Sequence, residues 1–277
     1  MRKKIAIVIL TFNSEKTIKK TILASKQITK NIIIVDSNSN DKTILICKKM
    51  KCSVLSRKFK NYSDQRNWII KKINKKYFWQ LHLDADEELD DKLIKSINKV
   101  INNKNVHKKV FLIRRKYYFL GKKLEYPGLN EWHLRLFQSS SVTCEKRLYD
   151  QHFLSKFKVN KINDGFIHDN DKLNLTQWKK KHVRWAELES KDIFYKNVLK
   201  NEFSKKNDPR YKFRNSKLLY YNFPKYFRVL VYFFYRYIFK LGFMDGKYGI
   251  LFCFYQAFWF RFIIDYKINI LEKNKHL

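Results

Sequence analysis

Residues 77–88 read YFWQLHLDADEE. An aromatic and apolar run, 77–83, predicts a strand, and Asp84 and Asp86 follow it, separated by one residue. The two carboxylates then stand at the strand's C-terminal end. Open α/β sheets bind their ligands in that region, outside the carboxyl ends of the strands. Two such acids can hold a hard cation, Mg²⁺ or Mn²⁺, that bridges a diphosphate. An acidic helix start would read the same way, because the helix dipole favours it. The neighbouring segments decide between the two.

Those segments alternate. A β-branched run at 5–10 predicts a strand buried on both faces. Asn13 and Ser14 offer caps for a helix over 15–26, with Ile18, Ile22 and Leu23 on one side. A second strand falls at 32–35, and Ser39 or Asn40 is expected to cap a helix carrying Ile44, Leu45 and Cys47. A weak third strand, 53–55, precedes a helix over 62–73. Asp90 and Asp91 open another, with Leu93, Ile94, Ile97, Val100 and Ile101 at helical spacing. Such β-α alternation implies a largely parallel sheet with helices on both faces. Beyond 110 the pattern turns irregular and strand-rich, at 110–113, 134–137 and 142–144. After Asn174, which forms a capping box with Gln177, it becomes helical.

Three further stretches carry polar groups, two of them at strand ends. Thr11-Phe12-Asn13 follows the first strand, and Asp36-Ser37-Asn38-Ser39-Asn40-Asp41 the second; Gln65-Arg66-Asn67 lies on a helix. Taken singly, these are ordinary turn or surface chemistry. Taken in order with Asp84 and Asp86, they resemble a family 2 glycosyltransferase of the GT-A fold, over about ninety residues. Leu134-Arg135-Leu136-Phe137, Leu148-Tyr149-Asp150-Gln151-His152, Phe166-Ile167-His168-Asp169-Asn170 and Leu241-Gly242-Phe243-Met244-Asp245-Gly246-Lys247 resemble a bacterial subgroup that builds lipopolysaccharide core or related surface glycans.

The resemblance implies a division of labour. Thr11, Asn13, Asp36 and Arg66 would line the nucleotide pocket, with Asp36 near the uracil or ribose. Asp84 would contact the ribose, and Asp86 would bind the divalent metal, with His168 a further candidate ligand. The catalytic base would be Asp150, with Glu131 and Glu145 as alternatives. The donor would be a nucleotide-diphosphate sugar of UDP type, and the acceptor a lipid-linked glycan. The implied reaction is a single displacement with inversion, which needs one base and no carboxylate nucleophile.

Composition sets the outer bounds. The 277 residues carry 60 Lys and Arg against 25 Asp and Glu, a net charge of +35, and 17% are aromatic. The charge favours polyanionic partners, although an AT-rich coding habit accounts for part of the lysine, and the basic residues are spread along the chain. Neither C-x-x-C nor another zinc spacing is present among the four cysteines, which suit a reducing cytoplasm. The stretches VLVYFFYRYIF at 229–239 and ILFCFYQAFWF at 250–260 are too short and too interrupted by arginine to span a bilayer. Tyr and Trp mixed with Arg and Lys suit the surface of an anionic membrane. We therefore expect a catalytic domain over 1–170 and a helical, aromatic and basic extension over 171–277. The extension would hold the protein peripherally on the inner face of the cytoplasmic membrane. Three rivals stay open: a metal-dependent nucleotidyltransferase, a basic nucleic-acid-binding protein, and a non-catalytic scaffold to which Gln151 would point. Asp36, Asp84 and Asp86 weigh against nucleic acid as the partner, since without metal they repel phosphate.

Overall fold

A computed structural model describes residues 3–103, 107, 109–128, 132–170, 172–195, 202–203 and 205–275. The first half builds one sheet. Strands β1 (Lys3–Thr11), β2 (Ile32–Asp36) and β3 (Ser53–Ser56) alternate with helices α1 (Ile18–Lys26), α2 (Thr43–Lys49) and α3 (Tyr62–Ile73). Next come β4 (Tyr77–Asp84), β5 (Glu87–Leu89) and α4 (Asp91–Asn102). Strands β6 (Val110–Phe119), β7 (Lys122–Lys123), β8 (Trp132–Gln138), β9 (Thr143–Cys144), β10 (Phe153–Leu154) and β11 (Asn160–Asp169) follow.

The order across the main sheet is β3-β2-β1-β4-β8-β6-β11-β5. The β3-β2-β1-β4 half is parallel, as is the β6-β11 pair; β8 runs antiparallel to both its neighbours, and β5 antiparallel to β11. β2 is buried along its whole length, and so is β1 from Ile5 onward. This is why their sequences are continuous apolar runs and not alternating ones.

Two strands have no clear sequence signal. β5 is acidic, and β11 reads NKINDGFIHD. β11 is bent by a register shift between Ile162 and Ile167. Gly165, at φ +82°, lies there against α4, and a Cβ at this position would meet the Leu93 amide nitrogen at 2.2 Å. No other residue fits such an approach. The Asp90 side chain joins the two elements, capping Leu93 N at 2.8 Å and accepting from Phe166 N at 2.8 Å. That junction fixes where His168 and Asp169 stand.

The expected caps of α1 and α2 form differently. Neither helix is capped by the side chain of its N-cap residue, Thr17 or Lys42. Instead the loops after β1 and β2 tie to each other: Asn13 N donates to Ser39 Oγ and Asn40 N to Asn13 Oδ1, both at 2.9 Å, while Glu15 N donates to Asp41 Oδ2 at 3.0 Å. Two adjacent loops at one sheet edge satisfy each other's amides, and within the second loop Asp41 Oδ1 also accepts from Thr43 N, the first residue of α2, at 2.9 Å.

The last third is helical. α5 (Leu175–Phe194) starts on the expected capping box of Asn174 and Gln177. α6 (Tyr211–Asn222) and α7 (Phe227–Phe234) follow, and α7 runs on through a π-helical turn, Tyr235–Phe239. A 3₁₀ turn, Gly242–Asp245, leads to α8 (Gly246–Phe252), a second π-helical stretch, Cys253–Trp259, and α9 (Phe260–Lys275). Gly242 and Gly249 permit the tight crossing here, since a Cβ on Gly249 would meet the Gly242 carbonyl oxygen at 2.0 Å. Among the described residues no helix is long and apolar enough to cross a membrane.

Candidate active site

The carboxyl ends of β1, β2 and β4 open into a cavity of about 1540 Å³, closed on its other side by α5, α6 and the C-terminal helices. Among the described residues thirteen Lys or Arg and six Asp or Glu line it. Such an excess of cations inside a low-dielectric cleft favours an anionic occupant.

Asp84 ends β4 inside a network that the sequence only partly announces. Its Oδ1 accepts from Arg66 Nη2 at 2.6 Å, and its Oδ2 from Arg135 Nη2 at 3.0 Å. Arg135, buried on β8, also reaches Glu87 Oε1 at 2.5 Å, while Glu87 Oε2 accepts from Asp84 N at 2.9 Å. Burial works to raise the Asp84 carboxyl, but Arg135 and Arg66 outweigh it and hold it well below the usual carboxylate range. Arg66 reaches Asp84 because α3 starts on the Asn61 cap and turns Gln65, Arg66, Ile69 and Ile70 inward.

Asp86 has the opposite environment. Burial, then the carboxylate of Asp169, push its carboxyl up to about 6; Lys181 pulls the other way and Asp84 adds to the rise. Asp169 arrives from β11, where Arg115 pairs with it at 2.9 Å. Among the described residues no three His, Cys, Asp or Glu side chains form a cluster able to hold a metal unaided. Asp86, with Asp169 beside it, nevertheless fits a divalent cation. Mg²⁺-type ions are commonly held by one or two carboxylates together with substrate phosphates, and not by all-protein cages. The crowding of negative charge that raises Asp86 is what such an ion relieves.

His168 stands apart from this pair. Its Nδ1 is 2.9 Å from Tyr118 Oη and its Nε2 3.4 Å from Asp90, on the α4 side of β11. Its two ring nitrogens thus face Tyr118 and Asp90.

Asp36 is also turned inward. It is fully buried; Oδ1 accepts from Thr11 Oγ1 at 2.9 Å and Ser39 Oγ at 2.6 Å, and Oδ2 from Ser39 N at 2.8 Å. It shapes the wall behind the cavity, whereas Thr11, Asn13, Ser37 and Gln65 face the space itself. Gln65 Nε2 donates to Ser37 Oγ at 2.9 Å. The neighbour of Asp36, one residue on, thus takes the lining position.

Across the cavity lies Asp150, at a left-handed φ of 54°, which a short polar residue tolerates. Lys217 Nζ is 2.6 Å from its Oδ2, His152 Nε2 3.2 Å from its Oδ1, and Arg214 Nη1 3.5 Å away. Burial raises its carboxyl, but Lys217, His152 and Arg214 hold it well below the usual range. Glu145, the alternative acid, is engaged elsewhere. It is buried, accepts from Arg214 Nη2 with both oxygens at 3.1 and 2.9 Å, and receives His152 N. Glu131 lies outside the described residues. Arg135, Asp169, Lys181 and Lys217 were given no role by the sequence, although Arg135 and Asp169 lie in the quoted LRLF and FIHDN stretches.

The model for the family described as Glycosyl transferase family 2 matches residues 6–156. An uncharacterized glycosyltransferase of Rickettsia bellii (strain RML369-C) is 32% identical over 105 residues, 38% of this chain and 35% of that protein. One from Rickettsia typhi is 34% identical over 104 residues, 37% of this chain and 35% of its own length. The match to these curated relatives therefore spans about a third of their length. Among solved structures, Staphylococcus aureus TarS 1-349 in complex with UDP aligns with a TM-score of 0.50 at 12% identity, over 99% of this chain and 92% of that one. That likeness is one of fold, the GT-A architecture.

Proposed function

The chain belongs to glycosyl transferase family 2, and on that premise we propose that it moves a glycosyl group from a UDP-type sugar nucleotide to a hydroxyl of a lipid-linked glycan, with inversion. The observation that carries this reading is the meeting of Asp84, Asp86, Arg66 and Arg135 at the strand ends of a cationic cavity, with Asp150 on its far side. The crystallised complex of TarS with UDP supports the uridine diphosphate.

The bond from the sugar's anomeric carbon to phosphate breaks as the bond to the acceptor oxygen forms. Thr11, Ser37 and Gln65 offer hydroxyl and amide groups to the nucleoside. Arg66 and Arg135, held in place by Asp84, keep fixed positive charge near the leaving diphosphate; preorganised charge of this kind needs no reorganisation as the bond breaks. Asp86, with Asp169 beside it, would hold Mg²⁺ or Mn²⁺, which when bound neutralises the pyrophosphoryl oxygens. Asp150 takes the proton of the acceptor hydroxyl. Incubation of the full chain with a panel of UDP-sugars and Mn²⁺ tests the reading. We expect slow release of UDP; release of sugar 1-phosphate, the group that leaves when the uridylyl moiety is the one transferred, would instead favour the nucleotidyltransferase alternative.

The lipid side of the proposal rests on the C-terminal helices. Phe234, Ile238, Phe239, Phe243, Met244 and Ile250 are exposed, Phe239 by 75%, and Lys240 and Lys247 are exposed among them. Apolar rings beside cations match the interface of an anionic bilayer. We expect the protein to float with vesicles containing phosphatidylglycerol, and an F239D/F243D double variant to bind them at least about tenfold more weakly. Equal flotation of the variant would remove the membrane from this proposal.

A further inference from the structure

Among the described residues, one buried arginine of the cavity faces no carboxylate. Arg236, in the π-helical turn after α7, is 8% exposed and lines the cavity. Its Nη1 donates to Tyr232 Oη at 2.7 Å. Its Nε and Nη2 are buried without a hydrogen-bond partner, and no ion pair reaches it among the described residues. Of the other buried arginines, Arg66, Arg135, Arg210, Arg214 and Arg228 each face a carboxylate, and Arg147, whose Nε also lacks a hydrogen-bond partner, does not line the cavity.

The free atoms are the informative ones. Nε and Nη2 form the edge of a guanidinium whose parallel N–H groups match two oxygens of one anion. Sealed from bulk water, they have no solvent shell to offset the missing partner, and a buried unpaired donor is costly. The surroundings add donors. Tyr232 is the hub: Arg236 and Arg261 each lie 5.6 Å from its ring centroid, and the Tyr220 ring 5.5 Å from it. Arg261 Nε and Tyr220 Oη are likewise buried without a partner. Arg261 Nη1 does meet Glu189, at 3.1 Å. More donors meet around one ring than a two-oxygen carboxylate would occupy.

The place is also specific. The Arg236 guanidinium is 5.7 Å from the Phe252 ring, which packs on Tyr117 at 5.4 Å; Tyr117 pairs in register with Asp169, beside Asp86. The same turn exposes Ile238 and Phe239 to the outside. Arg236 therefore sits between the metal-binding end of the cavity and the apolar surface.

We propose that Arg236, with Arg261 and Tyr220, is a phosphate-recognition site for the acceptor, separate from the donor diphosphate site, which takes the phosphate ester of an amphiphile whose apolar part lies along 234–244. This deepens the proposed glycosyl transfer and rests on it for the word acceptor; the phosphate site itself is tested independently.

The experiment titrates the full chain with farnesyl phosphate, with farnesol, which lacks the charge, and with glucose 6-phosphate, which lacks the tail. UDP with Mn²⁺ is titrated on the same samples. Farnesyl phosphate is expected to bind at least about thirtyfold more tightly than farnesol, the scale of a bidentate charge-assisted contact. R236Q is expected to abolish that preference while UDP affinity stays within about twofold. R236K, which keeps the charge but not the fork, should recover less than about a fifth of the affinity, and it stands in should R236Q fail to fold. Weaker binding of glucose 6-phosphate supports a lipid-borne phosphate, and equal binding a soluble phosphorylated one. Equal affinity for farnesyl phosphate and farnesol, or undiminished phosphate preference in either variant, overturns the site. Equal weakening of UDP overturns its separateness. Absence of UDP binding in the unmodified chain counts against the glycosyl-transfer reading, and leaves the phosphate comparison readable.

Discussion

Asp86→Asn is expected to abolish the Mn²⁺ dependence of UDP binding and to lower transfer by about a thousandfold or more, the range in which a bound cation and its electrostatic stabilisation act. The expectation follows from the contrast between two acids two positions apart. Asp84 is committed to Arg66 and Arg135, so its negative charge is already matched inside the protein. Asp86 is not matched in this way; burial and Asp169 oppose its ionisation. A carboxylate kept in such a place needs an incoming cation, and the amide of asparagine supplies no charge to hold one. Calorimetric titration of UDP with and without Mn²⁺ reads the effect directly. If the variant retains the full Mn²⁺-dependent gain in UDP affinity, Asp86 is not the metal's anchor. The melting temperature should stay level or rise slightly, because the substitution removes a burdened charge from a buried position.

Asp150→Asn should lower transfer by about a hundredfold to ten-thousandfold, the usual contribution of a positioned base, with UDP affinity preserved. The variant is interpretable because the cations around Asp150 have other partners. Lys217 Nζ also lies 2.9 Å from Glu189 Oε1, and Arg214 is paired with Glu145. Removing the Asp150 charge therefore leaves neither cation stranded, and lost activity will not be lost fold. The pairing also shows how this acid must work. Lys217, His152 and Arg214 keep it ionised but weakly basic. An acceptor hydroxyl has to enter this ion-paired cluster to give up its proton. Initial rates of UDP-sugar turnover, set beside the melting temperature and the UDP affinity, test the assignment. Full transfer activity in a folded variant would exclude Asp150 as the base.

The sequence is most legible where the chemistry is local. The strands at 5–10, 32–35 and 77–83 lie within β1, β2 and β4, and the helix over 62–73 coincides with α3. Each is written in a run of neighbouring residues whose burial follows from their own apolar character. Legibility fades where partners come from afar. Asn13 and Ser39 bond each other across two loops, so neither acts as the helix cap that its identity suggests. β11 was missed because its residues are polar and its placement depends on Gly165 fitting against α4. Glu145 stands in the sequence as an alternative to Asp150; its buried pairing with Arg214, 69 positions away, is visible only in the tertiary structure.

The sequence alone determined that a parallel-sheet domain would offer Asp84 and Asp86 at a strand end, because strand formation and the position of the next residue are both near-neighbour properties. It also determined that an aromatic, cationic segment would follow. Tertiary structure decided which acids are spent and which stay available. Arg135 reaches Asp84 across 51 positions, Lys217 reaches Asp150 across 67, and Arg236 reaches no carboxylate at all among the described residues. Ion pairing is a matter of distance and burial between chain-remote groups, and sheet register and helix docking set both.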